Sequence, residues 1–74
     1  MTVLGKADKI QLIESRSRQL EYRKYGLELD LIVENAKVVP DADSVQVIQN
    51  AITEIDTQLT ALNSELTVVN ALVE

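Results

Sequence analysis

Seventy-four residues with no cysteine and no histidine leave room for one domain and remove the usual staples of small chains, disulfides and sites built on soft metal ligands. No cofactor or metal site is expected. One proline, two glycines and two aromatic residues accompany an apolar content of 46%, which argues against disorder and against a turn-rich β-sandwich and favours interlocking helices. The formal net charge of −5 is uneven: seven bases and six acids between Lys6 and Lys37 give +1, whereas six acids and no base from Asp41 onward give −6.

The opening residues, Met1 to Lys6, lack the apolar region of a signal peptide. No stretch reaches the roughly 18 apolar residues of a membrane span. A soluble, cytoplasmic protein is expected on those grounds.

A first helix is expected over residues of about 6–38. Ile10, Ile13, Leu20, Leu27, Leu31 and Val38 occupy heptad positions, and Ser17, Lys24 and Glu34 interrupt the series. Gly26 falls near the middle, where glycine costs about 1 kcal/mol relative to alanine. The run Leu27-Glu28-Leu29-Asp30-Leu31 alternates like a strand. Leucine and glutamate favour helix, however, and a lone strand would have no partner. A kink or break at Gly26 stays open at this point.

Val38-Val39-Pro40-Asp41-Ala42-Asp43-Ser44 interrupts the helical pattern, because proline disfavours helix in the residue before it. This places a loop at about 39–42. Asp41 and Asp43 can each cap a following helix, and Asp43 with Gln46 fits the spacing of a capping box.

The second helix, expected over about 43–73, carries the strongest pattern in the chain. Val45, Ile48, Ile52, Ile55, Leu59, Leu62, Leu66, Val69 and Val73 follow one another at intervals of three and four, which fills every a and d position of four heptads. A short loop between two long helices makes them antiparallel neighbours. Folding about residue 41 brings Leu31 near Ile52, Leu27 near Ile55, Leu20 near Leu62 and Ile13 near Val69. Lys24 then comes within reach of Glu54 or Asp56. The expected fold is a single all-α domain, 1–74, in the form of an antiparallel two-helix hairpin. Its intrachain seam is Ile13, Leu20, Leu27, Leu31, Ile48, Ile52, Ile55, Leu59, Leu62, Leu66 and Val69.

Helix 1 has a second apolar sector. Tyr22, Tyr25, Leu29, Ile32, Val33 and Ala36 cluster on the side roughly opposite the seam, with Gly26 at its border. Nothing remaining in the chain can cover that sector unless helix 1 breaks at Gly26 and folds back as a three-helix unit. Soluble monomers rarely expose a patch of this kind. Residues Tyr22, Tyr25, Gly26, Leu29, Ile32, Val33 and Ala36 are therefore the expected protein interface, and a homo-oligomer such as a four-helix bundle or larger is the expected assembly. Val47, Ala61, Val68 and Leu72 form a weaker line on helix 2.

Catalysis has little to work with: no histidine or cysteine, no phosphate-binding glycine loop and no convergent acid pair. Asp41-Ala42-Asp43-Ser44 lacks the glycine and terminal glutamate of a calcium loop. Arg16, Arg18, Arg23 and Lys24, interleaved with Tyr22 and Tyr25, are diluted by Glu14 and Glu21, and with the acidic second half they argue against nucleic-acid binding. The net acidity also argues against a membrane surface. Two classes of role remain. One is a non-enzymatic structural or assembly protein, since short hairpins of this outline occur among viral assembly components and secretion-needle subunits. The other is a small adaptor, inhibitor or co-chaperone that offers the helix 1 stripe to a different protein.

Overall fold

A computed structural model describes residues 3–73; the outermost residues of the domain drawn over 1–74 lie outside the described range. Two helices, α1 (Lys6–Asn35) and α2 (Ala42–Asn70), pack against each other as an antiparallel hairpin. The molecule measures 57 × 19 × 15 Å, and its radius of gyration is 17.1 Å. A compact globule of this length would have about 11 Å, so the chain is a two-helix rod.

The heptad residues hold the rod together. Ile55 and Val69 are buried, each with 3% of its surface exposed. Ile13, Leu20, Leu27, Leu31, Ile48, Ile52, Leu59, Leu62 and Leu66 are half-buried along the same seam. Ile13 shares one groove with Val69, and Leu20 shares another with Leu62, in the register that the apolar pattern sets. Two helices alone cannot enclose more than this, because the other seam side chains each keep one edge toward solvent.

Helix α1 runs without interruption through Gly26. The strand-like alternation at 27–31 is overridden by the helical seam, in which Leu27 and Leu31 pack while Leu29 points away. A three-helix unit folded at Gly26 is accordingly not the structure this chain adopts.

The helix is shorter at its C-terminus than the apolar pattern suggests. It ends at Asn35, with Ala36 as the C-cap, and the Ala36 amide donates to the carbonyls of Ile32 and Val33. Val38, expected on the seam, is fully exposed in the connection. The cause lies in Glu34. This residue interrupts the heptads, yet it is buried. Its Oε1 accepts a hydrogen bond of 3.1 Å from the Asp41 backbone amide, and Oε2 pairs with Lys37. The carboxylate thus ties the last turn of α1 to the first turn of α2, and the chain between them bulges outward.

At the start of α2 the cap is Asp41, whose Oδ1 accepts from the amides of Asp43 (2.9 Å) and Ser44 (3.4 Å). The capping box at Asp43 and Gln46 does not form. Asp43 lies inside the first turn, and the Gln46 amide instead donates to Asn50 Oδ1 at 2.8 Å. Carboxylates at 41 and 43 suit the positive end of the helix dipole. At the opposite end of the rod, Lys6 Nζ donates to the Leu72 carbonyl at 3.1 Å.

The outward face of α2 is of another kind. The hydroxyls of Thr53, Thr57, Thr60, Ser64 and Thr67 each donate to the carbonyl four residues earlier. They follow one another at the same alternation of four and three residues as the seam, on the opposite side of the helix.

Two outcomes test this account. Truncating Ile55 to alanine should cost about 2–5 kcal/mol, measured by urea denaturation at fixed protein concentration; a loss below 1 kcal/mol would mean that the seam is not the core. The second concerns Glu34, whose carboxyl is held below the usual range by the hydrogen bond from Lys37. Partial burial opposes that shift, and the Asp41 amide reinforces it. A depressed folded-state value contributes stability above the ordinary carboxylate range and loses it as the pH falls through the depressed value. The stability gap between wild type and Glu34→Gln should therefore be widest at neutral pH and close in acid. A gap independent of pH would show that the charge of Glu34 contributes nothing.

Candidate functional site

The outward side of α1 carries the surface left without a neighbour. Arg18, Tyr22, Tyr25, Leu29, Ile32 and Ala36 follow at steps of four, three, four, three and four. This is a second heptad stripe, centred about 140° round the helix from the seam at 100° per residue. Tyr22 is 67% exposed, Tyr25 62%, Ile32 64% and Val33 65%, while Leu29 is somewhat more covered. Ala36, at the C-cap, closes the stripe at the loop end, and Val33 and Gly26 lie along one of its edges. All seven residues expected at the interface are brought to one continuous exposed face, and none contributes to the seam.

Arg18 is the residue that the sequence pattern did not single out for this face. Its guanidinium lies 5.4 Å from the centre of the Tyr22 ring, and Nη2 donates to Tyr22 Oη at 3.3 Å. Together with Glu21 and Tyr25 these groups frame a shallow hollow at the upper end of the stripe. The four-residue step back from Tyr22 was the available signal, but arginine at a heptad position does not register as apolar. Its stem still covers apolar area while its head group stays wet.

Helix α2 exposes its weaker line as well: Val47, Ala61, Val68 and Leu72 all reach solvent. Val47 and Val33 border the same groove beside the loop, so the exposed apolar surface continues across one broad side of the rod.

Charged residues run in rows of seven. Lys9, Arg16, Arg23, Asp30 and Lys37 line one flank of the α1 seam, and Glu14, Glu21 and Glu28 line the other. Lys24 sits at a seam position between them and pairs with Asp56 across the hairpin at 2.7 Å. The hydrogen bond to Asp56 raises the Lys24 pKa, partial burial lowers it, and the charges of Asp56, Glu28 and Glu21 raise it further. The ammonium therefore stays charged throughout the physiological range.

Among the described residues, no group of three or more potential ligands is placed to hold a metal ion. Nor, among those residues, is any helix long and apolar enough to cross a membrane. What the α1 face offers is aliphatic and aromatic area at helical spacing, which suits docking against another helix. No protein-family model, no curated protein and no solved structure matches the chain.

Gly26 provides a direct check on how open this face is. A methyl group built on it meets nothing within 4 Å, and its backbone φ is not positive. Gly26→Ala should therefore stabilise the hairpin by about 0.4–1 kcal/mol, read as a rise in thermal midpoint. A fall would mean that something else occupies the space beside it.

Proposed function

We propose that this chain is a non-enzymatic structural subunit that self-associates through the α1 stripe to form a four-helix or larger helical assembly. The observation behind this reading is the heptad stripe itself. Four large side chains, Tyr22, Tyr25, Leu29 and Ile32, stand exposed at coiled-coil spacing with Val33 beside them, on a rod whose seam buries, among the described apolar residues, only Ile55 and Val69. Each large aliphatic group covered there contributes about 1.5–3 kcal/mol, which is substantial for a chain of this length. Both faces of α1 repeat in heptads, so α1 has a surface for each of two neighbours, α2 and a helix of another copy. Components of viral or other large assemblies are the setting in which such a subunit belongs.

Sedimentation equilibrium of the wild type beside a Leu29→Glu, Ile32→Glu double variant tests the proposal. Both residues lie outside the seam, so the variant should keep its helical circular dichroism and sediment as a monomer, whereas the wild type sediments as a dimer or larger. A wild type that remains monomeric into the hundred-micromolar range would overturn the reading. The stripe would then be a docking face for a different protein, as in an adaptor, inhibitor or co-chaperone.

A further inference from the structure

The stripe has two unlike flanks, and that asymmetry bears on how a second copy meets it. Along one flank run Glu14 and Glu21, both exposed, and Glu28, which is half-buried. Along the other come Val33 and the open position Gly26, and beyond them the row of Lys9, Arg16 and Arg23. Among the described residues neither Glu21 nor Arg23 forms a salt bridge within the chain. Two helices that meet antiparallel about a two-fold axis present the same flank to each other. The glutamate row of one copy would then lie against the glutamate row of the next. Two helices that meet parallel present opposite flanks, and the glutamate row faces the side that carries the arginines.

We propose that a second copy covers the stripe with its own α1, the two α1 helices lying side by side and running in the same direction. This rests on the self-association reading above and names its geometry. Glu21 then stands level with the partner's Arg23, and Glu14 with the partner's Arg16. The bare backbone at Gly26 leaves the arginine side chain room to lie across the contact. Asp30, level with the partner's Glu28, is the one rung with like charges. Because the stripe lies about 140° from the seam, the four helices form a shallow layer in the order α2, α1, α1, α2 rather than a square bundle. Both loops lie at the same end of that layer.

The native chain has no cysteine, so one introduced at the exposed position Gln19 carries a spin label uniquely. Parallel helices at the usual interaxial distance of about 8–10 Å keep the two labels level with each other. Antiparallel helices centred on Leu29 separate them by about 30 Å along the axes at 1.5 Å per residue. The second arm is Glu21→Arg, which in the parallel arrangement sets arginine against arginine and should weaken dimerisation about fivefold, for two exposed pairs per dimer. Adding Arg23→Glu should restore it. A short label distance with weakening and rescue supports the proposal. Labels far apart, a tighter Glu21→Arg dimer, or no change on substitution would overturn the orientation while leaving self-association standing. A monomeric wild type in the unlabelled control removes both.

Discussion

Each helix of this hairpin has a single neighbour, the other helix, and can therefore bury one stripe of side chains and no more. That geometric limit governs the structure. It explains why Ile55 and Val69 alone are buried among the described apolar residues, and why the remaining seam residues keep an exposed edge. It also explains why a second apolar stripe on α1 is left on the surface. A third element would have relieved the limit, but α1 passes straight through Gly26 and supplies none.

The polar residues in the α1 seam give the rod its register and its end. An all-apolar seam could slide by a heptad at little cost, since one aliphatic rung resembles the next. Lys24 meeting Asp56 and Glu34 meeting the Asp41 amide each match a single partner, so sliding would leave a charge or a buried carboxylate unanswered. The exposed ion pair is worth little as binding energy, and its value lies in discrimination between registers. Glu34 does more, because its carboxylate accepts the amide of Asp41, the residue that caps α2, and so orients the chain into that cap.

Much of this was readable in the chain. The apolar series of α2 from Val45 to Val69 fixes a helix and its inward side, and pairing it with Ile13, Leu20, Leu27 and Leu31 yields the hairpin. Val73, which continues the series, lies beyond the end of α2 at Asn70 and is exposed. The outward stripe from Tyr22 to Ala36 was also visible, since period alone separates it from the seam. Three features were not. The end of α1 was misplaced because Val38 continues the apolar period, and periodicity cannot report that a carboxylate four residues earlier is satisfied by a backbone amide across the loop. The cap of α2 was assigned two ways because Asp41 and Asp43 have equivalent chemistry, and the choice between them is made by tertiary contact with Glu34. Arg18 was overlooked for the related reason that its apolar stem is hidden behind a charged head in any pattern of residue types.

The placement of the aromatic residues has a further consequence. The chain contains two tyrosines and neither tryptophan nor phenylalanine, and both tyrosines stand on the outward stripe of α1. The near-ultraviolet absorption and emission of the molecule thus originate entirely from the face that lacks a neighbour, and none of it from the seam. The protein carries a native optical label on its exposed apolar stripe, and a chain covering that stripe would register there while the seam beneath stayed spectroscopically silent.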